Sequence, residues 1–176
     1  EYSNFTDTSA ANSGGAIYVN IPTVTISNSK FKKNQAQWFG GAVYEKGNNN
    51  EIDNCDFEEN SANEGGAVYW EGSNGDLTDS TFKNNSAVDG GAIYNNPNAS
   101  YGGVNYASIQ NITGDFIGNS VFIKSRGNNY GHGGAIANSY VYGSSTATIG
   151  DIKGDFIANK VYNNIEQGLS SGTESA

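Results

Sequence analysis

The sequence lacks the features that mark disulfide-stabilised, helical or membrane-spanning proteins. Its 176 residues include one cysteine, two prolines and no methionine. A single cysteine cannot form an intrachain disulfide, and without any run of 18 apolar residues no membrane insertion is predicted. The chain starts at Glu1, and no signal-peptide pattern precedes the repeats, so we expect a processed piece of a longer protein.

Positive charge is also scarce. Nine residues are lysine or arginine against 18 acidic residues, which gives a net charge of −9. Nucleic-acid binding needs a basic face that neutralises phosphates, so no nucleic-acid partner is predicted. The glycine-rich nonapeptide that binds calcium is missing, and paired carboxylates such as Asp76 and Asp79 are interpreted as solvated. No metal and no cofactor are therefore expected.

The residues that are abundant favour turns and strands. The chain has 24 glycines and 26 asparagines, both poor helix formers, and this composition argues against a helical bundle. Aromatic residues make up 12% of the chain, and aliphatic residues recur at regular intervals. This apolar content is enough to build a core, so a folded chain is predicted rather than a disordered one.

Two motifs alternate along the chain. A motif of two glycines, alanine and a β-branched residue occupies residues 14–18, 40–44, 65–69, 90–94 and 133–137. The motif Phe-x-x-Asn pairs Phe31 with Asn34, Phe57 with Asn60, Phe82 with Asn85, Phe116 with Asn119, and Phe156 with Asn159. The repeat interval is 25 or 26 residues at first and 34 to 43 residues later, and Phe5 resembles a degenerate first copy.

The period predicts an all-β solenoid. Each interval holds three short apolar runs bounded by turn residues, which is typical of strands. The leucine pattern of leucine-rich repeats is absent, no helical periodicity supports ankyrin or tetratricopeptide units, and the interval is short for a four-stranded propeller blade. We therefore predict a right-handed, single-stranded parallel β-helix with about 25 residues and three short strands per coil.

The same spacing predicts the domain organisation. One repeat domain covers residues 1–164, with regular coils to about residue 98 and longer, looped coils over 99–164. Residues 165–176 are interpreted as a polar tail or a partial cap.

Each repeated position has a predicted role. The five Phe side chains should point inward and stack from coil to coil, beside a second inward column formed by Ile17, Val43, Val68, Ile93 and Ile136. The motif Asn should enter a turn and bond the Asn of the next coil, as in an amide ladder. The glycine pair suits a corner with positive φ or close packing on the next coil.

Surface charges test the register of this stack. The residue after the motif Phe is Lys32, then Glu58, then Lys83 in successive copies. In-register coils would place these opposite charges directly above one another, which is the favourable cross-strand arrangement.

Strand alternation predicts a second, outward aromatic column. Tyr18, Tyr44, Tyr69 and Tyr94 follow the inward β-branched residues, so their rings should face solvent. They form a candidate stacking platform for sugar rings or a partner protein, helped by Trp70 and Trp38. The alternative is that stacked Tyr only stabilises the strands.

A second candidate site lies in the longest interval. The only arginine and the only histidine, Arg126 and His132, fall there together with Lys124. They are candidate binding residues, and a general base beside cationic side chains is also the composition of a polysaccharide-cleaving site. The surrounding glycines oppose the rigid placement that catalysis requires, so no catalytic residue is assigned.

Cys55 stands where neighbouring copies have Ser29 and Ser80. It is interpreted as a small, buried and inert side chain, and the alternative is a reactive or cross-linking thiol.

The alternation of GGA-Ile/Val with Phe-x-x-Asn resembles the repeat of the chlamydial polymorphic outer-membrane protein family. It is also similar to the repeats of adhesin-like surface proteins of methanogens, with ENSA at residues 59–62 and NNSA at 84–87. The later copies, NITGDFIGN and DIKGDFIAN, look more like autotransporter passenger domains. These resemblances imply an extracellular, cell-surface β-helix that is often adhesive, and they imply no particular ligand.

Three functions follow as expectations. The leading one is a non-catalytic adhesin segment, not an enzyme, that presents an extended surface to glycans or partner proteins. The alternative is a structural spacer whose coil ends stack on other copies or on flanking coils of a longer chain, as in a filament, and the third is a carbohydrate-active enzyme.

Overall fold

The computed structural model describes residues 2–97, 106–123, 131–139 and 145–163. Every regular element in these ranges is a β-strand. The strands are β1 (Ser3–Thr6), β2 (Ser9–Ala10), β3 (Ile17–Val19), β4 (Thr25–Ser27), β5 (Ser29–Lys32), β6 (Gln35–Ala36), β7 (Val43–Glu45), β8 (Glu51–Asp53), β9 (Asp56–Glu58), β10 (Val68–Trp70), β11 (Gly75–Lys83), β12 (Ser86–Ala87), β13 (Ile93–Asn95), β14 (Tyr106–Ile117), β15 (Ser120–Ile123), β16 (Ile136–Asn138), β17 (Thr146–Lys153), β18 (Phe156–Ile157) and β19 (Lys160–Asn163).

All strand pairs are parallel, and each strand pairs with its counterpart one repeat away. The strands form three walls. The Phe wall is the nine-stranded sheet of β1, β4, β5, β8, β9, β11, β14, β17 and β18. The GGA wall has the order β16-β13-β10-β7-β3. The short wall contains β12-β15-β19 and β2-β6, which isolated bridges through Ser61 connect. This is the architecture of a parallel β-helix, and the predicted fold class is confirmed; its handedness stays a prediction.

The register follows the sequence repeats. In the Phe wall, Phe31 pairs with Phe57, Phe57 with Phe82, and Phe82 with Phe116. The different spacing in the later copies is absorbed by a register shift between Leu77 and Ser80, so Leu77 still pairs with Ile112. The longer intervals therefore add length between strands and leave the stacked columns intact.

The core consists of the predicted columns. Phe31, Phe57, Phe82 and Phe116 are fully buried. Neighbouring rings from Phe5 to Phe156 are parallel, with centroids 4.7–4.9 Å apart. Val43, Val68 and Ile93 are buried beside them, and Ile17 and Ile136 at the two ends of that column are partly buried.

Phe156 departs from the expected burial. Its ring stacks on Phe116, yet its side chain is 48% exposed. The reason is its position on the last described coil, where no further described coil covers its second face. Ile152 and Val161 on the same coil are exposed as well.

The motif asparagines form the amide ladder. Asn34 donates from its backbone N–H and from Nδ2 to Oδ1 of Asn60, at 2.9 and 3.0 Å. Asn60 Nδ2 also donates to the carbonyl of Phe31, at 2.9 Å. The same pattern continues along the stack through Asn85, Asn119 and Asn159. The carboxamides of Asn34, Asn60, Asn85 and Asn119 are fully buried, so each closes a corner within the interior.

The turn conformation falls one residue earlier than expected. The motif asparagines do not have positive φ; the preceding residues do, including Lys33 at 55°, Glu59 at 56° and Asn84 at 54°. Because the side chain of the motif Asn must reach the next coil, the residue before it makes the left-handed step.

The glycine pair combines both predicted roles. Gly65 has a φ of 65°, which favours glycine. Gly66 has no room for a side chain, since a Cβ there would lie 2.2 Å from the carbonyl oxygen of Gly91 on the next coil. The first glycine turns the chain and the second allows coils to approach.

The predicted charge register is present. Lys32 and Lys83 both pair with Glu58 in the strand register. Glu58 accepts ion pairs from Lys32 at 3.0 Å and Lys30 at 3.5 Å, whereas Lys83 makes none within the described residues.

Candidate functional site

The structure overturns the predicted outward Tyr platform. Only Tyr18 is exposed, at 52%, whereas Tyr44, Tyr69 and Tyr94 are buried. The rings do lie on the outer side of the GGA wall, but they pack on one another and on Phe39 to form a second cluster. A ring covered in this way cannot stack on a ligand, so the expectation of a solvent-facing platform is wrong.

Burial also changes the chemistry of these phenols. The Tyr44 hydroxyl donates to Oε2 of Glu71, a fully buried carboxylate that also ion-pairs with Lys46 at 3.4 Å. Burial, followed by the contact with Glu71, raises the pKa of Tyr44 above the usual range. Burial raises the pKa of Tyr94 to about 12. Tyr44, Tyr69 and Tyr94 are therefore neutral packing elements at physiological pH.

Trp70 is not a surface residue either. Its indole is fully buried in the main core, Nε1 donates to the carbonyl of Gly72 at 3.0 Å, and Gly75 lies against its ring. Its backbone register explains this, because Trp70 is the next residue after Tyr69 and points to the opposite, inner face. Trp38 is exposed, as a surface role requires.

The second predicted site is only partly described. Lys124 and Arg126 lie outside the described residues. His132 is exposed, and Asp89 Oδ1 contacts its Nδ1 at 2.8 Å and accepts its backbone N–H at 2.9 Å. In this position the His–Asp contact joins two consecutive coils. Residues 165–176, predicted as a tail or cap, also lie outside the described residues.

Cys55 is buried and has no disulfide partner. Its thiol contacts the carbonyl oxygens of Asp53 at 3.3 Å and Ile26 at 3.6 Å. Burial raises the pKa of the thiol to about 11. Since the thiolate is the reactive form, this environment agrees with an inert side chain.

A polar trough lies on the outer face of the short wall. Its volume is about 290 Å³. The outer trough is lined mainly by Gln35, Gln37, Ser61, Asn63, Ser86 and Phe122, with alanines between them. It therefore crosses four consecutive coils.

The repeat explains why the trough forms there. The motif Asn is followed by a small or amide residue in the early coils, which keeps the outer face low. In the later coils the third residue after the motif Asn is aromatic, Phe122 and then Tyr162. Phe122 is 39% exposed and Tyr162 is 42% exposed, and their rings stack at 5.0 Å and 9°. The aromatic pair rises above the small side chains and bounds the trough.

The amide side chains of the trough are free. The side chains of Gln35, Gln37 and Asn63 make no hydrogen bond to any other described residue, in contrast to the fully bonded ladder asparagines. None of the described residues that line the trough carries an ionisable side chain. The surface thus offers neutral donors and acceptors beside an aromatic ring.

The sequence argument missed Phe122 and Tyr162. A signal was present, because aligning the chain on the motif Asn places Gln37, Asn63, Val88, Phe122 and Tyr162 in one column. Two successive aromatic residues at an outward position predict a stacked, exposed pair.

A metal centre is not formed by the described part of the chain. No group of three or more His, Cys, Asp or Glu residues there is arranged to hold an ion. No helix within the described ranges is long and apolar enough to cross a membrane.

Comparison with known proteins gives one family. The model of the Chlamydia polymorphic membrane protein (Chlamydia_PMP) repeat matches residues 54–69 and 79–96. These segments contain Phe57, Asn60, Phe82, Asn85 and the GGA motifs that follow them. No curated protein and no solved structure gives a significant match. Two consecutive coils are therefore similar to polymorphic membrane protein repeats; the resemblance to methanogen adhesin-like proteins and to autotransporter passengers stays a prediction.

Proposed function

We propose that this chain is a non-catalytic, surface-displayed adhesin segment that presents the outer walls of its β-helix to glycans or partner proteins. The observation that carries the proposal is the repeat match to polymorphic membrane proteins, located on coils that stack in register. That family consists of outer-membrane, surface-exposed proteins without enzymatic activity, which supports a cell-surface location and a role in binding.

The rigidity of the β-helix supports a role in presenting side chains to a partner. A buried Phe column, an amide ladder and continuous parallel pairing hold the coils in fixed positions. A stiff scaffold keeps outward side chains in place, so little conformational entropy is lost when a partner binds. The outer trough offers free amide side chains beside the partly exposed Phe122.

Two measurements test the proposal. Antibodies against the folded chain should label intact cells that produce the protein, and beads coated with the chain should adhere to cells or to glycan-coated surfaces. Beads coated with a destabilised Phe82→Ala chain serve as the control. Labelling only after permeabilisation, or turnover of a polysaccharide by the purified chain, would contradict the proposal.

The end of the stack supports a second candidate function. The last described coil exposes Ile152, Phe156, Ile157 and Val161, beside a cavity of about 430 Å³. We propose that this face stacks on a coil of the same repeat type, supplied by a second copy or by a longer chain. Backbone groups at an uncovered coil favour such pairing.

Sedimentation velocity over a concentration series tests this stacking. Association that Val161→Lys abolishes would support contact between copies. A chain that stays monomeric at high concentration and gains no stability from added downstream coils would contradict it.

A further inference from the structure

One apolar column of the Phe wall ends differently at the two ends of the stack. The column begins at Ile26 and continues through Ile52, Leu77 and Ile112 to Ile152. Ile26 is only 9% exposed, whereas Ile152, on the last described coil, is 45% exposed. The column is therefore covered at its first residue and open at its last.

The exposed face of the last described coil, which we call the open end, consists of Ile152, Phe156, Asn159 and Val161. These residues line the cavity of about 430 Å³. The three apolar side chains are 45–49% exposed, and their counterparts one coil earlier are completely buried. Because a following coil is what buries these positions elsewhere in the stack, a further coil would restore the contacts that the open end lacks.

Hydrogen bonding gives the open end a direction. Asn119 donates its backbone N–H and Nδ2 to Oδ1 of Asn159, at 3.0 and 2.9 Å. Asn159 Nδ2 donates to the carbonyl of Phe116 at 2.8 Å. The backbone N–H of Asn159 and the second hydrogen of its Nδ2 have no acceptor among the described residues. The open end therefore presents two donors to the next layer, and the group that it lacks is an oxygen acceptor.

The amide ladder is closed at its other end. Thr8 stands three residues after Phe5, where the other coils have the motif Asn. Its hydroxyl and its backbone N–H both donate to Oδ1 of Asn34, at 2.6 and 3.1 Å. Because Thr has no carboxamide, the first coil lacks the Oδ1 acceptor that each motif Asn offers to the coil before it. The first coil of a second copy is therefore a poor match for the open end.

Two open ends do not match each other either. Oδ1 of Asn159 already accepts two hydrogen bonds from Asn119. Contact between two open ends would bring the free donors of one copy against the free donors of the other. Burying donors without acceptors is unfavourable, so neither end of a second copy completes the ladder.

From this geometry we infer that the open end is a docking face for a further coil that carries the Phe-x-x-Asn motif. The Phe ring of that coil stacks on Phe156, as Phe156 stacks on Phe116 at 4.7 Å. The carboxamide oxygen of its Asn accepts the two free N–H groups of Asn159. The inference rests on the stacking function proposed above and names the partner, which is a Phe-x-x-Asn coil joined to the same stack rather than a second copy of the chain.

An extended chain tests the inference. A second copy of residues 124–163, inserted directly after Asn163, places a copied Phe and a copied Asn 40 residues after Phe156 and Asn159. This interval equals the one between Asn119 and Asn159. Hydrogen exchange followed by NMR measures the protection of the Asn159 backbone N–H, which should form a hydrogen bond to the copied Asn.

The matched variant carries Asn159→Ala in the inserted copy only, so it keeps the chain length and the copied ring. The Asn159 backbone N–H of the original coil should exchange about tenfold more slowly in the extended chain than in this variant, which is the effect of one hydrogen bond. The backbone N–H of Asn60, in the middle of the stack, shows in both chains that the original coils remain folded.

Three outcomes would contradict the inference. Equal protection of Asn159 in the extended chain and in the variant would mean that a coil docks without its carboxamide, so the stacking function stands and the inference fails. Exchange at Asn159 as fast in both extended chains as in the wild type would remove the stacking function as well. Wild-type chains should sediment as monomers, and association that Val161→Lys abolishes would overturn the inference, because a second copy would then occupy the open end.

Discussion

Two aromatic columns run along the stack, one inside the Phe wall and one on the outer side of the GGA wall. The Phe rings lie 2–7° from parallel with centroids 4.7–4.9 Å apart. The Tyr rings meet at 62–87° with centroids 5.1–5.6 Å apart. The Phe spacing equals the distance between paired strands. Inside the coil each ring is confined to its own layer, and only parallel stacking fits that layer.

The outer column has more freedom. Its rings tilt, and Phe39 packs against Tyr44 and Tyr69 in tilted contacts. Side chains on an outer face can rearrange when one ring is removed, whereas the interior is enclosed by strands on every side. Removal of an inner ring should therefore leave a cavity, and removal of an outer group should be tolerated.

The largest effect is expected in the inner column. Phe82→Ala should lower the free energy of unfolding by roughly 3–5 kcal/mol, because Phe82 is fully buried between two stacked rings. Chemical denaturation followed by circular dichroism measures the change. Phe156→Ala is the matched control, and since that ring is half exposed its cost should be clearly smaller. If both substitutions lowered the free energy of unfolding equally, the Phe column would not be continuous.

A slightly smaller effect is expected from the ladder that borders the Phe column. Asn60→Ala removes the acceptor for the backbone N–H and Nδ2 of Asn34 and the donor to the Phe31 carbonyl. Buried groups left without partners cost about 1–3 kcal/mol each, and a total of about 2–4 kcal/mol is expected after partial relaxation. If Asn60→Ala left the free energy of unfolding unchanged in the same assay, water would have to replace the hydrogen bonds of the ladder.

The inner column and the ladder could be predicted from the sequence because both repeat. Phe82 and Asn85 recur at a fixed spacing, and an inward ring and a coil-to-coil amide bond are consequences of that spacing alone. The burial of the Tyr column depends instead on a residue that does not repeat. Phe39 stands where the neighbouring coils have Ser13, Glu64 and Asp89. The repeat therefore does not predict the ring that packs on Tyr69.

The trough occupies an intermediate position. Phe122 and Tyr162 follow the ladder asparagines at a constant distance, so their stacking is contained in the sequence once the coils are aligned. The depression beside them is harder to predict, because it arises from small side chains on neighbouring coils rather than from a motif. The sequence repeat thus predicts which residues stack in columns. Predicting a concavity requires the sizes of the side chains on adjacent coils as well.

The buried carboxyl of Glu45, the last residue of β7, allows a test of pH dependence. Glu45 follows Tyr44 and points inward, where burial raises its pKa to about 7 despite hydrogen bonds from Asn50 Nδ2 and the Gly47 N–H. A carboxyl with a raised pKa in the folded state binds a proton more tightly there than in the unfolded chain. The protonated Glu45 therefore adds to the free energy of unfolding below about pH 4.5, the pKa of the carboxyl in the unfolded chain. This stabilisation is lost as the pH rises to about 7.

Thermal unfolding between acid and neutral pH measures this contribution, which is at most about 3 kcal/mol. Glu45→Gln should flatten this part of the pH dependence, because the amide oxygen keeps both hydrogen bonds and does not titrate. Glu51→Gln, on the exposed side of strand β8, is the control for the loss of one negative charge. The stability of the wild type relative to Glu45→Gln should fall between pH 4.5 and 7. A rise in this difference would contradict the burial of a protonated carboxyl.

The smallest effect is expected in the outer column, and its sign is the informative part. The Tyr69 hydroxyl is buried and has no hydrogen-bond partner in the described structure. Removing an unsatisfied buried polar group relieves its desolvation cost, so Tyr69→Phe should raise the free energy of unfolding by about 1 kcal/mol. Tyr44→Phe is the matched control with the opposite expectation, since its hydroxyl bonds Glu71 and the change leaves that buried carboxylate with one partner fewer. Denaturation of both variants side by side decides the matter. If both substitutions destabilise the chain equally, the Tyr69 hydroxyl has a bonding partner and the outer column is as strictly specified as the inner one.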